Sequence, residues 1–486
     1  MTTKSSSASN KPELRYNKGM SRKIELPSAA EMKKFHNQSK RQTFWSKISM
    51  PQRLTLGFLS VITVGAGLLM LPISHFGNLH HSFMNALFTA TSAASVTGLT
   101  VVNTATHWTV FGQFIIMCLI EVGALGFMSF SVLLFTATRR QMDLRHRMMV
   151  QEIYSLESLY DTRVVFGYVI KLSVVIQLVG ALCLAPIFIH DFGVKRGSFY
   201  AVFHAISAFG NAGFTILPDN GVAYTSRPLV LMILAALIIA GSLGFLVWRD
   251  ILLYRHTKRL SLHSKLALVM TGSLILGGWL LYELTQRNLA IAHTLSPVNR
   301  VLNTLFMAIS YRTAGFSQFG FNQMSPATIL LTMMLMYVGG TPGSTAGGLK
   351  TTTLGVLLLK THAALRGKKD VTFAHRRLTN ENITRALLLV FVSLVFLALL
   401  SFLLLLTQGT DTHFGLEYIV FEVISAFATA GLTLGLTPHL TGFGQCVIML
   451  TMFIGRVGVY TVMFSILNVH GEHAPYQYPE ESVIIG

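Results

Sequence analysis

Four short phrases, each centred on a glycine, carry the residues of this chain that are best suited to chemistry. Each phrase has Thr or Asn one or two residues before its glycine and a hydroxyl residue two positions after it. One such phrase is an ordinary small-residue turn, whereas four in matching context predict one repeated functional unit. The residues assigned to this unit are Thr97, Gly98, Asn211, Ala212, Gly213, Thr313, Ala314, Gly315, Thr429, Ala430 and Gly431.

The chemistry that this pattern favours is the coordination of a cation by backbone carbonyl oxygens. Four backbone strips around one axis can replace the hydration shell of an ion. Glycine suits such a strip because it adopts positive φ without strain, which lets the carbonyl groups face the axis. The four phrases therefore predict an ion selectivity filter that is built from four parts of one chain.

A second candidate site combines a Gly-rich loop, residues 339–348, with one arginine. The loop interrupts a long apolar run, and Arg456 lies within another, where an ionisable residue is functional by default. A guanidinium donates hydrogen bonds and accepts none, so we expect it to bind carbonyl oxygens of the loop and to close the ion path below the filter. The predicted gate residues are Gly340, Gly343, Ser344, Thr345, Gly347, Gly348, Lys350 and Arg456.

The glycines of this loop have an alternative interpretation as a phosphate-binding loop. Leu349 separates Gly348 from Lys350, whereas the nucleotide-binding motif has an adjacent Gly-Lys pair after a strand. We therefore predict that no nucleotide binds to this chain and that the loop is a helix break.

Each glycine phrase lies within the same order of elements: a long apolar run, a short segment of small residues, the phrase, and a second apolar run. The long runs reach the roughly 20 residues that span a bilayer, and the short segments must be re-entrant. The sequence thus predicts an all-α membrane protein with eight spanning and four re-entrant helices around one central pore. The three segments of each repeat are 54–74, 82–94 and 110–136; 164–190, 199–209 and 229–248; 265–284, 300–310 and 326–360; and 385–407, 416–427 and 442–468.

The repeats also define the predicted domain boundaries. A polar N-terminal arm covers residues 1–52, and a C-terminal tail covers residues 471–486. The linker at residues 141–162 is predicted to be an amphipathic helix on the membrane surface. The four pore repeats are residues 53–140, 141–255, 256–370 and 371–470.

Composition supports membrane insertion, since 52% of residues are hydrophobic and only 12% are charged. The net charge of +18 comes from short basic segments beside apolar runs, which indicates membrane topology and argues against nucleic-acid binding. The stretch 71–108 contains no Lys or Arg. We therefore predict cytoplasmic termini, outward-facing filters, and a basic inner face that could dock an acidic partner or anionic membrane lipid. Cys118, Cys183 and Cys446 are expected to pack in the core.

The motifs resemble those of the Trk/Ktr/HKT superfamily of cation-uptake proteins, and most of all the membrane subunit of bacterial Ktr systems. The resemblance extends from Gln52 to the C-terminus, and two positions depart from the usual pattern, at Glu121 and Ala124. The phrases that carry it are residues 211–214, 312–316, 343–351, 455–458 and the closing 478–486.

The resemblance implies K⁺ uptake across the bacterial cytoplasmic membrane, with K⁺ bound at the filter. It further implies a homodimer and a cytosolic, nucleotide-binding regulatory ring of the KtrA type. Many Ktr systems need Na⁺, so the transported ions include Na⁺ as a possible symported ion.

Three alternatives stay open in the sequence. A member of the superfamily that prefers Na⁺ or selects poorly has the same repeats. A secondary transporter with a midplane site would favour inverted repeats, whereas these repeats run in the same direction. An intramembrane enzyme would need clustered acid–base residues, and the apolar runs contain no cluster of His, Asp and Glu. The isolated ionisable residues also keep alternatives: Glu121 attracts cations or completes a buried polar pair, and Glu422 holds amides of the filter or adds negative field near the pore. Lys171 is expected to snorkel to the cytoplasmic end of its helix, and His80 and His81 are expected to be outer-loop residues.

Overall fold

The computed structural model describes residues 50–76, 82–126, 162–217, 224, 227–285, 296–317, 324–408 and 414–458. The N-terminal arm up to residue 49, most of the surface linker, His80, His81 and the C-terminal tail lie outside the described residues.

The described part of the chain is helical apart from one small hairpin. Its elements, in chain order, are α1 Met50–Leu69, α2 Phe83–Ser95, α3 Thr104–His107, α4 Val110–Ala124, α5 Thr162–Gly210, α6 Pro228–Ser242, α7 Phe245–Thr257, α8 Leu262–Thr285, α9 Pro297–Thr313, α10 Pro326–Tyr337, α11 Thr351–Leu365, β1 Thr372–Phe373, β2 Arg376–Arg377, α12 Asn380–Gln408, α13 Leu416–Ala428 and α14 Gly442–Val457. A short 3₁₀ turn covers Thr437–His439.

Hydroxyl side chains start several of these helices. The Thr109 hydroxyl accepts from the Gly112 N–H at 3.3 Å, and the Thr441 hydroxyl accepts from the Gly444 N–H at 3.2 Å. Ser82, Ser296 and Ser325 cap α2, α9 and α10 in the same way. Each cap satisfies an N–H that has no partner inside its helix, so these starts are encoded locally.

The re-entrant helices lie inside the molecule. α2 packs against α1 and α4, α9 packs against α8 and α10, and α13 packs against α12 and α14. The second re-entrant segment is the last part of α5, which is interrupted at Gly193, where φ is 78°. That interruption falls between the two predicted segments 164–190 and 199–209, so the chain reverses where the sequence pattern changes.

Outward faces are apolar. On α12, Leu399 and Phe402 are each 61% exposed, which suits hydrocarbon and not water. Cys118, Cys183 and Cys446 are also exposed, so the prediction that they pack in the core is wrong. A thiol behaves as a small apolar group, and a lipid-facing position accommodates it as well as a protein core does.

Three described helices are long and apolar enough to cross a bilayer, and the pair α6–α7 becomes a fourth if its 97° bend is one broken span. The apolar helices α4, α10 and α14 are shorter, and so is the apolar part of α1, Thr55–Leu69. An all-helical membrane protein is therefore confirmed, whereas eight long spans are not seen among the described residues. The second helix of every repeat ends or breaks beside a glycine: Gly126, Gly244, Gly339 and Gly458.

The break between α6 and α7 corrects the predicted continuous segment 229–248. A Cβ at Gly244 would overlap the carbonyl oxygen of Pro342, which belongs to the Gly-rich loop of the third repeat. The loop supplies partners for the broken helix: the Phe245 N–H donates to the Gly343 carbonyl at 3.1 Å, and the Thr341 N–H donates to the Ser242 carbonyl at 3.1 Å. A neighbour from far along the chain therefore stabilises this break.

Candidate functional site

The four predicted glycines each follow a re-entrant helix and share one backbone conformation. Their φ angles are 93° at Gly98, 68° at Gly213, 73° at Gly315 and 76° at Gly431. An L-residue with a side chain rarely adopts such angles, so glycine is required at these positions for conformational reasons.

The four glycines also form a closed ring. A Cβ at Gly98 would overlap the Ala212 carbonyl oxygen, and the Cα of Gly213 would lie 3.2 Å from that Cβ. The same relation joins Gly213 to Gly315, Gly315 to Gly431, and Gly431 back to Gly98, with Cβ-to-Cα distances of 3.1, 3.3 and 3.1 Å. The four strips, Thr97–Gly98, Ala212–Gly213, Ala314–Gly315 and Ala430–Gly431, are thus neighbours in chain order. We call this arrangement the glycine ring.

Carbonyl oxygens lie at the contacts of the ring. Each glycine faces the carbonyl of the residue before the next glycine, in the order Ala212, Ala314, Ala430 and Thr97. The four backbone strips approach one another closely at these carbonyls, so the ring places four oxygen ligands near each other. Carbonyl oxygens in this number suit an unhydrated monovalent cation.

Serine hydroxyls hold the first three strips from behind. The Ser92 hydroxyl accepts from the Gly98 N–H at 3.0 Å. The Ser207 and Ser310 hydroxyls donate to the carbonyls of Phe214 and Phe316, each at 2.7 Å. These bonds fix the strip residues on both sides of the glycines.

The third strip enters the ring differently from the others. Val96, Asn211 and Thr429 occupy the left-handed conformation two residues before their glycines, with φ of 58°, 59° and 51°. The corresponding Thr313 is still helical, because α9 ends at this residue, two positions before Gly315. The ring is therefore only approximately fourfold.

Asn211 and Thr313 connect the ring to the Gly-rich loop. The Thr313 hydroxyl donates to the Asn211 amide oxygen at 2.9 Å, and the Asn211 amide nitrogen donates to the Thr345 hydroxyl at 2.8 Å. Thr345 in turn donates to the Phe209 carbonyl at 3.0 Å. The second and third strips and the loop thus share one buried hydrogen-bond chain.

The Gly-rich loop is tightly folded. The Gly339 N–H donates to the Leu349 carbonyl at 2.8 Å, and the Thr351 N–H donates to the Gly340 carbonyl at 3.0 Å. Cβ atoms at Gly339 and Gly347 would overlap the Gly347 carbonyl and the Thr429 hydroxyl, respectively. Glycine therefore permits the loop to close on itself and to lie against the end of α13.

Arg456 joins the end of α14 to the Gly-rich loop and to the end of α4. Its guanidinium donates to the Thr345 carbonyl of the loop and to the carbonyls of Gly123 and Ala124 at the end of α4. α14 ends at Val457, so Arg456 lies in its last turn and not within a longer helix as expected. A cation is favoured there because the helix dipole is negative at its C-terminus.

Two more cationic side chains bind this region. Lys350 donates to the Ala346 carbonyl at 2.7 Å. Arg312, which is 3% exposed, donates to the Gly339 carbonyl through Nε at 3.2 Å and Nη2 at 3.1 Å. No role was predicted for Arg312, although a basic residue three positions before Gly315 was a usable signal.

Comparison with known proteins identifies the family. A family model described as "TrkH: Cation transport protein" matches residues 31–471. The chain belongs to the TrkH family of cation transport proteins. This confirms the resemblance found in the motifs, and since the family consists of transporters, the prediction that the chain is not an enzyme is also confirmed.

Curated relatives of this TrkH-family chain match nearly end to end. The "Potassium/sodium uptake protein NtpJ" of Enterococcus hirae is 46% identical over 442 residues, which cover 90% of this chain and 98% of that protein. The "Ktr system potassium uptake protein B" of Bacillus subtilis is 40% identical and covers 91% and 98%. The crystal structure of the potassium transporter TrkH from Vibrio parahaemolyticus is similar with a TM-score of 0.67 and 17% identity, over 84% of this chain and 83% of that one, and supports the fold.

The isolated ionisable residues also have defined places. Glu121 accepts from the Gln177 amide at 2.8 Å, which makes it part of a polar pair between α4 and α5. Glu422 accepts hydroxyl hydrogen bonds from Thr433 and Thr437, and no backbone amide of the described residues donates to it. Lys171 is exposed on α5.

Proposed function

We propose that this chain takes up K⁺ across the bacterial cytoplasmic membrane as the ion-conducting subunit of a Ktr-like system. The observation that carries the proposal is the closed glycine ring of Gly98, Gly213, Gly315 and Gly431. Its carbonyl oxygens replace the hydration shell of the ion. The membrane potential drives uptake at about 2.3 kcal/mol per charge for each 100 mV.

In this proposal the four repeats surround one central pore. The closure of the ring in chain order supports this arrangement, because each glycine lies against the strip of the next repeat and the last against the first. The repeats are those predicted at residues 53–140, 141–255, 256–370 and 371–470. The termini are cytoplasmic, and the ring lies towards the outer side.

The Gly-rich loop and Arg456 form the gate in the same proposal. The contacts of Arg456 with Thr345 support it, and so does the chain of hydrogen bonds from Thr345 to Asn211 and Thr313. A guanidinium below the ring opposes the exit of a cation by Coulomb repulsion. Movement of the loop away from Arg456 opens the path.

Flux through the purified protein tests the proposed function. Proteoliposomes with an inside-negative potential are expected to accumulate ⁸⁶Rb⁺, and external K⁺ is expected to compete at least about tenfold better than Na⁺. Empty liposomes and the protein without a potential are the controls. Absence of Rb⁺ accumulation above these controls contradicts the proposal.

A second candidate is uptake of both K⁺ and Na⁺, or Na⁺-coupled symport. The name of the 46% identical relative, a potassium/sodium uptake protein, favours it. The same vesicles distinguish the candidates. Equal competition by Na⁺ indicates poor selectivity, whereas Rb⁺ uptake that requires external Na⁺ indicates coupling.

A cytosolic nucleotide-binding ring of the KtrA type is the proposed partner, and the active form is a homodimer. The hairpin β1–β2 supports an electrostatic docking site, because Lys368, Lys369, Arg376 and Arg377 are exposed on or beside it. Arg377 pairs with Asp370 at 3.0 Å, which leaves the other three cations for a partner or for anionic lipid.

Charge reversal at Lys368, Lys369 and Arg376 to Glu is expected to weaken binding of the regulatory ring by about tenfold or more, because like charges then face each other. Arg377 is kept so that its pair with Asp370 stays intact. Reversal of the single Lys368 to Glu is compared with reversal of the single Lys265, on α8, which is a control with the same charge change away from the hairpin. Unchanged ring binding together with an unchanged nucleotide response would leave the basic residues with a topological role only.

A further inference from the structure

Glu422 is a buried carboxylate directly behind the fourth strip. It lies in the middle of α13, is fully buried, and is nine residues before Gly431. Thr433, two residues after Gly431, donates to its Oε2 at 2.8 Å, and Thr437 donates to its Oε1. The carboxylate therefore joins the re-entrant helix to the backbone that leaves the ring.

The hydrogen-bond partners around Glu422 indicate which groups donate and which accept. The Thr433 hydroxyl accepts from the Gly435 N–H at 3.0 Å, so its own hydrogen is available to Glu422. Thr437 supplies a hydrogen to the other carboxylate oxygen. Both oxygens of Glu422 then accept a hydrogen bond, so two hydroxyl donors are in place to compensate a carboxylate charge. A negative charge at such a depth needs this kind of compensation, because isolated buried charges are costly.

In the second repeat a neutral histidine occupies the position that corresponds to Glu422. His204 is nine residues before Gly213, and its Nε2 lies 3.1 Å from the Thr215 hydroxyl, two residues after that glycine. Its Nδ1 faces the Tyr200 carbonyl at 2.8 Å and must donate, so Nε2 of the neutral ring accepts from Thr215. Thr215 accepts from the Leu217 N–H at 3.2 Å, as Thr433 does from Gly435.

The first and third repeats have neither a carboxylate nor a histidine at the position nine residues before the glycine. Tyr311 lies 3.2 Å from the Ser317 hydroxyl in the third repeat, where Phe306 occupies the position nine residues before the glycine. In the first repeat that position is Thr89. Among the described residues, Glu422 is thus the one buried acid that a re-entrant helix places beside a strip.

From this geometry we infer that Glu422 is a positioning residue for conduction. It holds the fourth strip through Thr433 and Thr437, and its charge stabilises a cation in the glycine ring. The inference rests on the proposed function, because it assumes that the ring conducts. The charge acts across a protein interior that screens weakly, so its removal affects ion occupancy more than an exposed charge does.

Glu422→Gln tests the charge with little change of shape. Concentration-dependent ⁸⁶Rb⁺ uptake is expected to show a half-saturating concentration that rises by about tenfold. The matched control is Glu417→Gln, which removes an exposed carboxylate from the first turn of the same helix and is expected to leave uptake unchanged. Wild-type uptake must be present, because its absence contradicts the proposed function and not this inference.

A second pair of variants tests positioning without changing the carboxylate. Thr433→Val removes the hydroxyl and is expected to lower the K⁺-over-Na⁺ preference severalfold, whereas Thr433→Ser restores it because the donor returns. The pair decides the question even if Glu422→Gln does not fold. Unchanged half-saturation in folded Glu422→Gln, or equal selectivity of the Val and Ser variants, overturns the inference.

Discussion

Gly98→Ser is expected to abolish the preference for K⁺ and to reduce the K⁺-over-Na⁺ permeability ratio to about one. The added Cβ would overlap the Ala212 carbonyl oxygen, and the φ of 93° is strained for any residue with a side chain. Relief of this overlap must move the first or the second strip, which changes the size of the carbonyl cage. Bi-ionic reversal potentials in planar bilayers, or K⁺ and Na⁺ competition against ⁸⁶Rb⁺ uptake, measure the ratio.

Gly67→Ser is the matched control for this variant. Gly67 lies in α1 of the same repeat, is exposed, and has no atom within 4 Å of a Cβ placed on it. It is expected to retain native selectivity and native flux. If folded Gly98→Ser protein keeps native selectivity, the glycine ring does not determine the choice between K⁺ and Na⁺.

Arg456→Ala is expected to raise K⁺ flux by about tenfold or more and to reduce its dependence on nucleotide. The substitution removes the bonds that join α14 to Thr345 and to the end of α4. A hydrogen bond to a charged group contributes about 1.5–3 kcal/mol, so its loss shifts a closed–open equilibrium by about tenfold or more. Flux into vesicles with and without the regulatory ring measures both effects.

Deletion of residues 341–345 is expected to act in the same direction but is a less selective experiment. The deleted loop also supplies partners to Phe245 and Asn211, so the break between α6 and α7 and the second strip lose support. Arg385→Ala, which removes an exposed arginine from α12, is the control for Arg456→Ala. Native flux and a native nucleotide response in both gate variants, with normal folding, would make Arg456 a structural residue.

The local elements of the site were predictable because their signals are short-range. A hydroxyl cap starts α2, α4, α9, α10 and α14, and the re-entrant helices end within a few residues of the predicted positions. The Gly-rich loop was located from its glycines alone. The hydrogen bond from Arg456 to a loop carbonyl was expected because a guanidinium donates hydrogen bonds and accepts none.

The errors arose where a distant segment decides the outcome. The break at Gly244 depends on Pro342 and Gly343, which lie in another repeat. The role of Arg312 depends on the Gly339 carbonyl, 27 residues further along the chain. The β1–β2 hairpin was missed for a local reason, because Ala374 and His375 occupy its turn at positive φ, where glycine is the usual signal.

Repetition and hydrophobic patterning determined, from sequence alone, that this chain is an all-helical membrane protein with four equivalent glycine phrases. They could do so because apolar length and conformational freedom at glycine are properties of single segments. Closure of the ring from Gly98 to Gly431, the hydroxyl support of Glu422 and the contacts of Arg456 were decided only by the tertiary structure. Each of these requires atoms from separate elements to reach hydrogen-bond or van der Waals distance, and no periodicity within one segment specifies that distance.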